Sequence, residues 1–227
     1  MTRLTACAMS SPANHSPLRW ATTHPHRLRD ALTEWRERVG TSTPLDLRAN
    51  AYGFGDEAVA SLAAQLGFVS AELDAASTVL ALSRSDSESS DAWVEIAHQY
   101  EAFSLRAQVI NSKAVDAGAE VSYGGLYRTP QPSTLALIAI GFADGLPRLN
   151  PVGGHVAAGK RRLPIAGRIA MDQIIVDTGD EPLEPGETVT IWGGAVSCAE
   201  WSEWSGRSCA LLGAGLGHRV VRIVEDQ

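Results

Sequence analysis

The sequence predicts an α+β chain in which an α/β segment, residues 20–103, precedes a mainly-β barrel domain, residues 104–227. Three observations predict it. Apolar residues at helical spacing are concentrated in the first half. From Ser104 onward, short apolar runs alternate with glycine turns, the pattern of a small barrel. Near the boundary, residues 83–91 (SRSDSESSD) contain no apolar side chain and form an expected exposed linker.

Residues 1–19 read as a disordered tail, because MTRLTACAMSSPANHSP lacks the long apolar run of a secretory signal. HRLRDALTEWRERVG then places Leu28, Leu32, Trp35 and Val39 on one helix face, with Gly40 suited to end it. PLDLRANAYGFG reads as a strand entering a glycine-rich turn. Asp56 is expected to cap the next helix, EAVASLAAQLG, which stops at Gly67. A second short strand and helix are expected from Phe68 through Leu80. DAWVEIAHQYEAF is expected to be helical, with Trp93, Ile96, Ala97 and Tyr100 on one side.

The barrel half begins with the alternating SLRAQVINSK and with AGAEVSYGG, which runs into a turn. TLALIAIGF is a continuous apolar strand, and HVAAGKRRLPIAGRIA is a hairpin turning at Gly159-Lys160. QIIVDTG, ETVTIWGG and HRVVRIV are further strands, interrupted by one short helix from about Ala199 to Ser205.

Composition narrows the function classes. With 227 residues and 44% hydrophobic content the chain can bury a substantial core. A net charge of −7 without a clustered basic face argues against nucleic acid or an anionic membrane as the main partner. Cys7, Cys198 and Cys209 are odd in number and lack metal-ligand spacing, so reduced thiols are expected and no metal. No apolar run approaches the length of a membrane span, and the expected compartment is the cytoplasm. Lysine is scarce: Lys113 and Lys160 are the only two among nineteen lysines and arginines.

Three stretches, VSYGGLYRTP, GFADGLPR and RRLPIAGRIAMDQ, carry a resemblance. Together they resemble the C-terminal domain of alanine racemases, pyridoxal-phosphate (PLP) enzymes in which a barrel from one subunit and a β-domain from the other share an active site. The resemblance implies that Tyr123 stands at the tyrosine base contributed across the subunit boundary. Met171 and Asp172 stand at the Met-Asp pair whose backbone lies near the substrate carboxylate. Asp172 equally suits a strand-end residue capping a turn. Phe142 stands where the family usually has tyrosine, Arg148 and Arg168 match arginines that would otherwise read as exposed strand charges, and His218 stands where some members place a phosphate-binding tyrosine, or is a plain strand residue.

The first half carries a second match. Arg48-Ala49-Asn50-Ala51-Tyr52-Gly53-Phe54-Gly55 is similar to the family motif Lys-Ala-(Asn or Asp)-Ala-Tyr-Gly-His-Gly. Tyr52 then matches the tyrosine that touches the cofactor phosphate, Phe54 replaces the histidine, and Arg48 replaces the lysine that holds PLP. A guanidinium, with a pKa above about 12, cannot form a Schiff base or shuttle the proton. A complete (β/α)₈ barrel takes about 250 residues and a lean one about 200, so residues 20–103 are expected to be a truncated remnant of a TIM barrel. The expectation is therefore an alanine racemase-like protein without PLP catalysis, with no cofactor and with Arg48 in a salt bridge. It would act as a dimerisation or interaction module, as a homodimer or as a heteromer with a full-length racemase to which Tyr123 is supplied in trans. The alternative is an active PLP-dependent racemase on a reduced scaffold.

Overall fold

A computed structural model describes residues 17–72, 92–122, 124–149 and 153–225. The linker at 83–91, the helix expected through Leu80, Cys7 and Tyr123 lie outside the described residues. Arg19–Thr23 forms β1, Pro25–Val39 α1, Leu45–Asp46 β2, Arg48–Tyr52 the single turn α2, Asp56–Gln65 α3, Ala71–Glu72 β3 and Ala92–Gln99 α4. The strands β4 (Phe103–Val115), β5 (Glu120–Val121), β6 (Tyr127–Arg128), β7 (Ser133–Ile138), β8 (His155–Ala158), β9 (Arg161–Pro164), β10 (Ile174–Gly179) and β11 (Thr188–Trp192) follow. Helices α5 (Cys198–Ser205) and α6 (Cys209–Ala214) precede the last strand, β12 (Val221–Val224).

The barrel is organised on β4. Phe103, Leu105, Ala107 and Val109 alternate along it and are buried, the two-residue period of a strand facing a core. One edge of β4 serves two neighbours in succession: Phe103 to Ala107 pair with β1, and Val109 to Val115 pair with β7. The other edge pairs with β11. The main sheet runs β10-β7-β4-β11-β8-β9, and an antiparallel bridge from Ile165 to Val176 joins its ends. The β8–β9 hairpin turns at Gly159-Lys160 as the sequence predicts. Trp192 and Trp201 pack edge to face with centroids 5.7 Å apart, and the Trp201 indole N–H donates to the Ile191 carbonyl at 2.7 Å. Ser197 and Glu200 form a reciprocal capping box at the start of α5, satisfying two backbone N–H groups that the helix itself leaves unbonded.

Several expectations need correction. Arg19, placed with the tail, opens β1, a strand that the sequence analysis did not find because RWATT is short and has no clear alternation. Thr22 and Thr23 are buried, so β1 is an inner strand, parallel to β12 and antiparallel to β4. Helix α6 was also missed. Asp56 is the first residue of α3 and not its cap; Gly55 holds the cap position, and the Asp56 carboxylate accepts from the Glu57 N–H at 2.8 Å. Tyr100 does not join the buried face of α4: it is exposed, and its hydroxyl donates to Glu34. Val94 takes its place.

The first half is fastened to the barrel by an aromatic cluster. The Phe54 ring lies 5.3 Å from Trp93, 5.4 Å from His98 and 4.8 Å from Phe103, so α4, the α2 turn and β4 meet on one side chain. A histidine at position 54 would bring a second polar ring into this apolar contact, which accounts for phenylalanine there. His98 has both ring nitrogens buried without a hydrogen-bond partner. Burial pushes its pKa down to about 3. A neutral buried imidazole that ionises on unfolding makes stability rise with pH between the folded and unfolded values. The fold should therefore lose on the order of 1 kcal/mol per pH unit as pH falls from about 6.5 toward 4. Urea melts of wild type and His98→Phe across that range test this, the variant having the flatter profile.

Candidate functional site

The segment around Arg48 is shaped by an unusual backbone. Ala49, Asn50, Ala51 and Tyr52 have φ of 54°, 56°, 49° and 52°, a left-handed turn made without glycine. Each such residue costs roughly 1–2 kcal/mol, so the turn needs external support. Part of that support is local, with the Ala51 N–H donating to the Leu47 carbonyl at 2.8 Å and the Gly55 N–H to the Asn50 carbonyl at 3.1 Å. The rest comes from the barrel half. A Cβ on Gly213 would lie 2.1 Å from the Tyr52 carbonyl oxygen, so only glycine lets α6 approach. Arg222 donates from Nε to the Gly53 carbonyl at 3.2 Å and from Nη2 to the Leu216 carbonyl at 3.1 Å, tying the turn to the chain before β12.

Inside this turn the Arg48 side chain folds back onto Asp46. Its Nε donates to Oδ1 at 2.9 Å and its Nη2 to Oδ2 at 2.5 Å, a bidentate pair, and its backbone N–H adds a third bond to Oδ1 at 3.0 Å. The Tyr52 hydroxyl donates to Oδ2 at 2.6 Å. Asp46 is fully buried, and its own carbonyl accepts from the Trp93 indole at 2.9 Å. Burial alone would raise the Asp46 carboxyl, but the hydrogen bonds from Arg48 and Tyr52 outweigh it and hold the group below the usual range. The same bonds hold the Arg48 guanidinium above its ordinary value, so it remains a cation. The salt bridge expected of Arg48 is present. Asp46 was not singled out from the sequence, although residues two apart on a strand end share a face, and that spacing was the available signal.

A second group of the expected residues gathers on the barrel. Met171 and Asp172 lie in the bend before β10, beside a groove of about 880 Å³. Arg148 and Arg168 also line it; both sit on loops and not on strands. Phe142 is partly exposed, and the Arg148 guanidinium stacks over its ring at 5.1 Å. Ser122, next in sequence to Tyr123, is bonded through Oγ to both the N–H and the carbonyl of Arg168, which ties the strand-end before Tyr123 to the groove wall.

The Asp172 carboxylate accepts from Arg219 Nη1 at 2.7 Å. Arg219 Nε also bonds the fully buried Asp144 at 2.9 Å, where Arg19 of β1 joins at 2.7 Å. Arg19, and the pairing of Arg219 with Asp144, were not recognised from the sequence, because the shared carboxylate lies far from both along the chain. His218 is in a turn and not in β12; it lines a hollow of about 500 Å³ with Ala49, Asn50 and Arg222. His218 is thus brought to the left-handed turn, whereas the Tyr52 hydroxyl is committed to Asp46. Among the described residues no cluster of three or more His, Cys, Asp or Glu could hold a metal, and no helix is long and apolar enough to cross a membrane.

The family model for the alanine racemase C-terminal domain matches residues 102–224. The alanine racemase of Salinispora arenicola is 43% identical over 106 residues, 45% of this chain and 28% of its own length. That of Deinococcus deserti is 40% identical over 120 residues, 52% of this chain and 34% of its own. The chain thus spans about a third of the length of these curated relatives. Among solved structures, the alanine racemase of Clostridium difficile 630, in complex with cycloserine, aligns with a TM-score of 0.75 at 15% identity over 94% of this chain and 97% of that one. The Bartonella henselae enzyme, with covalently bound pyridoxal phosphate, aligns with a TM-score of 0.71 at 17% identity over 92% and 100%. At these identities the structural matches speak for the fold, whereas the family model covers more than half of the sequence, and the chain belongs to the alanine racemase family.

Proposed function

We propose that this chain presents the β-domain half of a racemase active site and does not itself carry out PLP catalysis. The observation that supports this most strongly is the bidentate pair of Arg48 with Asp46, at the position where the family carries its PLP lysine. The residues do not fit covalent attachment of PLP. Guanidinium nitrogen is protonated and delocalised, and here it is also bonded to a buried carboxylate. The amines of Lys113 and Lys160 are remote in the fold, the first on β4 and the second in the β8–β9 turn. The Tyr52 hydroxyl, which would face a cofactor phosphate, donates to Asp46.

Residues 20–103 fit a shortened remnant of the family's barrel. Two of their short strands, β2 and β3, pair in parallel, Leu45 with Ala71 and Asp46 with Glu72, as successive barrel strands do. The β-domain groove, by contrast, keeps Met171, Asp172, Arg148 and Arg168 around one opening beside the segment that carries Tyr123. The partner in this reading is the barrel of a full-length racemase, to which Tyr123 is supplied in trans. Met171 and Asp172 would meet the substrate carboxylate through their backbone, and the Tyr123 hydroxyl would exchange the proton.

Two outcomes are expected. Asp46→Asn should lower stability by about 2 kcal/mol, because it removes a buried charged acceptor, and Arg48→Gln by about 1 kcal/mol, since that side chain is half exposed. Because the Asp46 carboxyl is depressed in the fold, its contribution is present above about pH 4 and is lost as pH falls further. Denaturant melts at pH 7 and pH 3 measure both. The second outcome concerns activity. The purified chain with added PLP should not interconvert the alanine enantiomers, but it should restore turnover to a full-length racemase whose own tyrosine base is replaced by phenylalanine. Absence of rescue, or equal rescue by the Tyr123→Phe form, would remove the in-trans role.

A further inference from the structure

We infer that the groove beside Met171 binds a dicarboxylate, gripped by Arg148 and Arg168. Charge accounting around the groove leads to this. Asp172 is the carboxylate on its wall, and Arg219 already neutralises it at 2.7 Å. Arg19, Arg48 and Arg219 each end on a carboxylate. Arg148 and Arg168 line the same opening, and among the described residues neither side chain meets one. Among the described residues, then, these two guanidinium groups face the groove without a carboxylate partner.

The Arg148 side chain and the Arg168 backbone are held before any ligand arrives. Arg148 is steadied by the face of Phe142, and the backbone of Arg168 is held in both directions by Ser122 Oγ. The 170–173 bend that lines the groove is held as well: Gly141 packs so closely on it that a Cβ there would lie 2.5 Å from the Gln173 nitrogen. The lining also includes the apolar side chains Leu126, Leu149, Ile169 and Met171 beside Asp172 and Gln173, and both Leu126 and Met171 are more than half exposed. Two forked donors with an apolar surround match an anion carrying two planar carboxylates on a short hydrocarbon body. A compact phosphate would satisfy the donors but leave the apolar lining in water. The assignment concerns the chain by itself and does not depend on its docking to a racemase barrel.

Titration of the full chain with succinate, followed by two-dimensional NMR at low salt, tests the assignment, with uncharged succinamide as the matched probe. Saturable shifts confined to residues around the groove are expected, in about the millimolar range for exposed ion pairs. Arg148→Gln and Arg168→Gln should each weaken binding by about tenfold, the loss of one charge-assisted pair. Arg128→Gln, away from the groove and paired with Glu120, should leave it unchanged. The assignment is overturned if succinate does not saturate, if succinamide binds equally well, or if inorganic phosphate binds more tightly. It is also overturned if affinity survives both groove substitutions in protein whose spectrum shows an intact fold.

Discussion

The Asp46 carboxylate is the point on which the first half of the chain turns. It is fully buried, and a buried carboxylate persists only when its charge is met by hydrogen bonds and an opposite charge. Arg48 provides both from two residues away, and Tyr52 adds a hydroxyl. One side chain therefore fixes the two groups that the family motif would turn toward a cofactor. A lysine at position 48 could reach the same carboxylate with only a point charge, whereas the guanidinium fork occupies both oxygens at once. At this position the guanidinium, the buried carboxylate and the Tyr52 hydroxyl are bonded to one another.

The strained turn that carries Arg48 makes the two halves of the chain interdependent. A left-handed turn of four residues without glycine would not persist in isolation. Its support comes from α6 through Gly213, from Arg222, and from the aromatic cluster in which Phe54 touches both α4 and β4. Strand β1 extends this coupling, because it lies in the barrel sheet between β4 and β12 while its Thr23 hydroxyl donates to the Phe54 carbonyl. Arg19 at its other end reaches Asp144, which Arg219 links to Asp172 at the groove. A continuous chain of ion pairs thus runs from β1 through the buried Asp144 to the exposed Asp172 at the groove.

The barrel was largely legible in the sequence, because β-strands bounded by glycine turns announce themselves locally. The β8–β9 hairpin and strands β10, β11 and β12 fall where the apolar runs predict. What was not legible depends on distant partners. Strand β1 is a strand because β4 and β12 accept it, and RWATT by itself has little pattern. The left-handed conformation of Ala49 to Tyr52 contradicts their intrinsic preferences and is imposed by packing. Of the site, the match of Arg48 and of Met171 and Asp172 to family motifs was readable. The partners of those residues, Asp46 and Arg219, were not, because charge pairing across the fold leaves no local signature apart from the two-residue spacing of Asp46 and Arg48.

The groove and the Arg48 turn thus stand in contrast. On the barrel, charged and apolar groups face an opening; in the first half, the equivalent groups face each other. The most direct measurement is retention of PLP by the purified chain through gel filtration, followed by borohydride reduction and peptide mapping by mass spectrometry. The account predicts that no stoichiometric cofactor survives filtration and that any adduct is substoichiometric and divided between Lys113 and Lys160. Retention of one PLP per chain, fixed by reduction at a single site, would contradict it.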